Sequence, residues 1–291
     1  MNLRHALALI LLAALLVTAG SLHSSLADLR AGYSDEFRSY YIPSSGYMKV
    51  ASLGQRNLWA DLIFVWAVQY FDRYGKEVRG TYLSRTFDTL TDLDPRFYEA
   101  YIFGCLFLSL DQNWDALYRL ADKGISFNSK NWLLPWEAGT YAFFQAKDYE
   151  QAARYFQIAH DRNPEEILIK DMLANSLKYR GDYERSLEFW TKIRGQFEGD
   201  DSSRGRFFRL AADRNIFDLR VKIDLRRLEA AVDAFTKAKG ARPQRLSDLV
   251  RDGFLPGVPM DPYGEPYLYD PSSGDVRCSK PFNFRGAYGQ W

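Results

Sequence analysis

Residues that carry chemistry are scarce in this chain of 291 residues. Cys105 and Cys278 are the only cysteines, and His5, His23 and His160 the only histidines. Two distant cysteines build neither a disulfide framework nor a metal site. No HExxH, GxSxG, phosphate-binding loop or dinucleotide fingerprint occurs. Acid pairs such as Glu165-Glu166 and Asp200-Asp201 fall in turns, where capping and solvation explain them. The expectation is a protein that is not an enzyme and takes no metal or cofactor. Net charge is also lacking: 38 basic and 37 acidic side chains leave +1, with the signs mixed along the chain. Nucleic acid calls for a basic face, so no nucleic-acid partner is expected.

What the chain does have is apolar residues in helical rhythm. FYEAYIFGCLFLSL and ILIKDMLANSLKY set them three and four apart, a spacing that strands do not use. From Asp94 to Ile193 the punctuation also repeats. Asp94-Pro95, Asn128-Ser129 and Asn163-Pro164 recur 34 and 35 residues apart. Gly104, Gly139 and Ala174 keep the same beat, where two helices of a hairpin must approach closely. Ala116, Ala152 and Ser186 follow 12 to 13 residues later, and Leu120, Tyr155 and Trp190 add a bulky residue near each second helix's end. Ala152 comes one residue later than the first unit predicts, so the register can slip at the second unit.

This pattern resembles the tetratricopeptide repeat (TPR) family, whose unit is a helix-turn-helix of 34 residues. The resemblance implies a mainly α fold: a right-handed array of helical hairpins stacked on a shared core, followed here by a small C-terminal helix and β-hairpin. The array is expected over 47–196, with a degenerate first repeat at 47–95 and clear repeats at 97–129, 132–164 and 167–196. TPR arrays bind rather than catalyse, on a concave surface lined by first helices. Carried over by register, that surface holds Tyr98, Tyr101, Cys105, Leu108 and Ser109 in the first clear unit. In the second it holds Leu133, Trp136, Thr140, Phe143 and Phe144, and in the third Leu168, Asp171, Asn175, Lys178 and Tyr179. Asn175 resembles the amide that some members use to hold an extended peptide's backbone. The clamp for a terminal carboxylate is not reproduced.

The remaining segments place this array in the cell. Ala6 to Leu22 is an apolar run of 17 residues preceded by Arg4, which reads as an export signal. Cleaved, it would be a signal peptide over 1–27; retained, it is an anchor in the inner membrane, with the bulk of the chain in the periplasm. The retained form is the one expected here. Residues 28–46 read as a linker. A helix is predicted from about Met48 to Tyr74, capped by Ser44 or Ser45, with LWADLIFVWAVQYF apolar on nearly every side. It would either pack as the opening repeat against a helix over about Thr81 to Leu93 or lie at the membrane surface. The position of Pro95 favours burial.

Gly195 to Arg206 is polar and glycine-rich and marks the expected end of the array. A helix from roughly Phe207 to Ala238 follows, with an apolar stripe at Phe217, Val221, Leu225, Leu228, Val232 and Phe235 and a cap at Gly240. Beyond it come a short helix capped by Ser247, a turn at Asp261-Pro262-Tyr263-Gly264, and strands at Tyr267-Leu268-Tyr269 and Val276-Arg277-Cys278. Arg242-Pro243, Leu246, Leu249, Leu255, Pro259, Asp261-Pro262, Gly264, Pro266-Tyr267 and Tyr269 make this segment, within 207–291, similar to the globular part of the type II secretion major pseudopilin. Some pseudopilins bind calcium after this pattern, and Asp261, Asp270 and Asp275 are the acids available; capping of turns is the reading preferred. Together these readings imply a membrane-anchored scaffold that binds a protein or peptide partner in the envelope, or an assembly factor of a secretion or pilus-like machine. Nothing in the pattern sets an oligomeric state.

Overall fold

The structure is a computed structural model that describes residues 42–70 and 76–283, together with 17, 18 and 21. The expected export signal and most of the linker lie outside the described residues. No helix among the described residues is long and apolar enough to cross a membrane. The chain is mainly helical.

It opens with α1 (Ser45–Ala51) and α2 (Arg56–Tyr70). These were expected as one helix, and Leu53 and Gly54 break it by entering the left-handed region at φ 49° and 88°. Ser44 caps α1, its side chain accepting from the Tyr47 amide. Then come α3 (Lys76–Leu93), α4 (Tyr98–Leu110), α5 (Trp114–Phe127), α6 (Leu133–Tyr141), α7 (Tyr149–Arg162), α8 (Ile167–Arg180) and α9 (Tyr183–Gln196). From α2 to α9 each helix packs on the next, while α1 packs on α3. Side-chain caps start two of the second helices: Asn113 Oδ1 accepts from the Ala116 amide at 3.3 Å, and Asp148 Oδ1 from Gln151 at 3.0 Å. In the three turns α4–α5, α6–α7 and α8–α9 one residue is left-handed: Gln112, Lys147 and Gly181.

Small residues set the helix spacing. A Cβ on Gly104 would sit 2.5 Å from a Leu120 methyl, and one on Gly139 would sit 2.9 Å from the Phe156 ring. Phe156, not Tyr155, stands opposite Gly139. Between Gly139 and Phe156 the chain carries one extra residue, and a π turn at Ala142–Ala146 absorbs it. Tyr155 turns instead toward the preceding unit, its hydroxyl donating to the Tyr118 carbonyl at 3.2 Å. Ion pairs Lys123–Asp92, Arg154–Asp122 and Arg180–Glu150 link successive units along the outside. Each is partly exposed and contributes well under about 1 kcal/mol.

The long helix α10 runs from Ser203 to Lys239, capped by Ser202 at its start and by left-handed Gly240 at its end. The stretch expected to separate array from C-terminal module is a packed corner, where Phe197 stacks on Phe208 with ring centroids 4.9 Å apart. The first half of α10 shares a core with α8 and α9 through Ile167, Trp190, Ile193, Ala212 and Leu219. Its second half, with Leu228, Val232 and Phe235, holds α11 (Leu246–Arg251) and the hairpin of β1 (Leu268–Tyr269) and β2 (Val276–Arg277). The strands are antiparallel, Leu268 facing Arg277 and Tyr269 facing Val276. Ser247 falls inside α11 instead of capping it. The Asp248 carboxylate closes that end, accepting from the Gln244 and Arg245 amides at 3.1 and 2.9 Å.

Candidate functional site

The residues singled out from the repeat register separate into three groups. Tyr101 has no exposed surface, and its hydroxyl donates to the Pro95 carbonyl at 3.1 Å. Tyr98 is half-buried, and that burial pushes its hydroxyl up to about 12. Trp136 packs its ring on Phe156 at 5.4 Å, and Thr140 donates to the Trp136 carbonyl one turn back at 2.9 Å. These four, with the buried Cys105, Leu108 and Ser109 that the register also assigned to the groove, serve chiefly the packing of α4 and α6.

The third unit's polar residues are engaged within the fold. Asn175 donates to Asp171 Oδ1 at 2.9 Å, one turn apart on α8. Burial pushes the Asp171 carboxyl above its ordinary 3.8 despite that hydrogen bond. Lys178 donates to Asn215 Oδ1 at 2.8 Å and to Asp218 at 3.4 Å, both on α10. Burial depresses the Lys178 ammonium, and Asp218 opposes that shift. The long helix therefore occupies the face that Lys178 was expected to offer a ligand. It covers the start of α9 as well, with Arg226 lying 4.2 Å over the Tyr183 ring and donating to the Gly181 carbonyl at 2.8 Å.

An exposed aromatic cluster lies between these two groups. The π turn carries Phe143 and Phe144 at the end of α6. Phe143 meets Tyr179 of α8 edge-on at 5.6 Å and Tyr149 of α7 at 5.4 Å, and Tyr149 stacks on Tyr179 at 5.0 Å. Phe144 is 61% and Tyr179 59% exposed, so half of the cluster faces water while its base is held by three helices. Pairs in this geometry add about 0.5–1.5 kcal/mol each beyond area burial, which keeps the rings in place without a ligand. Sequence reasoning named Phe143, Phe144 and Tyr179 and missed Tyr149. Tyr149 follows the helix cap directly and belongs to a second helix, outside the positions from which a groove was read.

Two of the clefts among the described residues are lined by none of these four rings. One, of about 430 Å³, is lined by polar residues, Ser44, Asp88, Asp92 and Arg119 among them. Burial raises the Asp88 carboxyl, Lys123 opposing it, and Lys123 bonds Asp92, Thr91 and the Asp88 carbonyl. The other, of about 370 Å³, opens between α11 and the hairpin beside Leu246, Met260, Tyr267 and Tyr269. The Asp261 turn supports its rim. One Asp261 oxygen accepts from the Tyr263 and Glu265 amides at 2.9 Å, and the other from Ser279 at 2.8 Å and Cys278 at 3.3 Å. Burial would raise this carboxyl, but the hydrogen bonds together hold it below 3.8. Asp270 accepts from the Ser272 amide and hydroxyl instead of pointing toward Asp261. Among the described residues no three His, Cys, Asp or Glu side chains gather as metal ligands would. Cys105 is enclosed, and burial pushes its thiol far above the ordinary range, which removes it as a nucleophile.

No protein-family model matches the chain, and no curated protein matches it.

Proposed function

We propose that this protein is a scaffold of TPR-like helical hairpins, tethered to the inner membrane and facing the periplasm, which binds another envelope protein and supports a membrane complex. The observation that carries the reading is the Phe143, Phe144, Tyr149 and Tyr179 cluster, exposed at its tip and held by packed helices at its base. Aromatic rings fixed in this way lose little conformational entropy on binding, which is the property of interface hot spots. Binding is then the whole mechanism: an apolar segment of the partner covers Phe144 and Tyr179 and drives water from them. The Asp171–Asn175 pair, one and two turns from Tyr179 along α8, offers polar groups that orient that segment.

The test places a photo-crosslinking amino acid at Phe144 in the full chain in native membranes, with Lys130 as a control position. One discrete partner captured at 144 and absent at 130 supports the reading, as does its loss on Tyr179→Ala with helicity unchanged. Capture that is equal at both positions sinks it.

A second reading makes the C-terminal module the docking element for pilin-like proteins in a secretion or pilus-like machine. It is favoured by exposed Met260 at the 370 Å³ cleft and by exposed Leu268 on the hairpin. A crosslinker at Leu268 distinguishes it, because the partner would then be captured there and be indifferent to Tyr179→Ala.

A further inference from the structure

Helix α2 packs Ala60 and Ala67 inward, with Ile63 beside them. At 100° per residue Leu58, Leu62 and Val65 share the opposite face, and all three are about half exposed. Val50 at the end of α1 and Leu53 in the turn add exposed apolar surface nearby in the chain, and Leu53 is the most exposed large apolar residue described, at 90%. It is also held at φ 49°, where a side chain other than glycine is disfavoured. An apolar residue kept in a costly backbone state at the tip of two helices protrudes into its surroundings instead of lining a hollow.

We propose that this face lies in the surface of the lipid bilayer, so that α1 and α2 form a second membrane contact besides the apolar N-terminal run. The proposal rests on the tethered reading above. Three observations select lipid over a protein cover. The apolar run ends at Leu22 and the described chain resumes at Ile42, a gap that spans at most about 70 Å even when fully extended. The bilayer is therefore always within reach, and a weak apolar contact becomes a populated one. The composition is that of an interfacial segment: aliphatic side chains, exposed Tyr47 and Trp59 beside them, and Lys49, Arg56 and Asp61 as the charges over 42–70. The protruding Leu53 tip suits a fluid medium that moulds around it; a protein cover would need a cavity shaped to receive it.

The experiment uses the full chain reconstituted in vesicles of phosphatidylethanolamine and phosphatidylglycerol. Single cysteines are placed by Leu62→Cys or Val65→Cys in a Cys278→Ser background, with Leu168→Cys, another exposed position, as reference. Each is labelled with an environment-sensitive fluorophore. The expected result is a blue-shifted emission at 62 and 65 that lipid-borne nitroxide quenches and aqueous iodide does not, with the reverse at 168. Labels at 62 and 65 that iodide quenches as strongly as the label at 168 overturn the proposal. Labels shielded from both quenchers also overturn it, because the cover is then protein. A chain that does not float with the vesicles at all refutes the tethered reading itself, which separates the two failures.

Discussion

Helices α2 and α4 are both apolar on nearly every side, LWADLIFVWAVQY in one and YEAYIFGCLFLSL in the other. Around α4 stand α3, α5 and α6, and Ala100, Tyr101, Cys105 and Leu108 have no exposed surface. Around α2 stands chiefly α3, with Phe64 reaching Phe97 and Phe103 at 5.0 and 5.5 Å, and the other face is open. Hydrophobicity alone therefore does not say where a helix lies. Burial depends on how many neighbours the topology supplies, and the opening helix of an array has one fewer than those within it.

Paired substitutions put this contrast at risk. Leu108→Ala should cost about 3 kcal/mol, as large-to-small changes in enclosed cores do, while Leu62→Ala should shift stability by no more than about 0.5 kcal/mol. Denaturant midpoints compare them directly, and equal losses would mean that α2 is as enclosed as α4. Next in size is a pair of glycines. A Cβ at Gly124 would meet a Leu134 methyl and the Tyr101 ring at 2.6 Å, whereas nothing lies within 4 Å of one at Gly195. Gly124→Val should then lose about 2 kcal/mol by overpacking while Gly195→Val stays near zero. Similar midpoints for the two would show that α5 and α6 can part without penalty.

Smaller effects separate two aspartates of opposite sign. The Asp261 carboxyl lies below its ordinary 3.8 when folded, so it contributes stability above pH 3.8 that is lost as pH falls through the folded value. Asp261→Asn should destabilise at neutral pH, and the difference should vanish in acid. Asp171 is raised by burial, so it favours folding below pH 3.8 and that contribution is lost as pH rises through its folded value. Asp171→Asn keeps a partner for Asn175 and should stabilise at neutral pH only. Denaturation of both variants at neutral and acidic pH shows the crossing, and a shared sign would contradict the assigned environments.

The helical hairpins were legible because their markers are steric: a small residue where helices cross and a turn residue where they end. Even the π turn was foreshadowed by Ala152 arriving one residue late. The break between α1 and α2 was harder to read, because left-handed Leu53 looks like any apolar residue in a helical pattern. The C-terminal turn was plain from Asp261-Pro262-Tyr263-Gly264, where Gly264 takes φ 80° and its amide bonds the Asp261 carbonyl at 2.8 Å. Of the site, Phe143, Phe144 and Tyr179 could be named from the register, together with Trp136, which packs on Phe156 instead. The engagement of Lys178 could not, since Asn215 and Asp218 lie about forty residues away on a helix whose direction the local pattern does not fix.

Helix α10 joins both cores without interruption, and at 37 residues it is about 55 Å long. It works as a shaft. Torque applied to the hairpin end travels along one continuous hydrogen-bonded rod to the corner where Phe197 stacks on Phe208, so pulling on either end loads the other. A proline at Arg220, between the two cores, would turn that shaft into a hinge and leave each end to move alone.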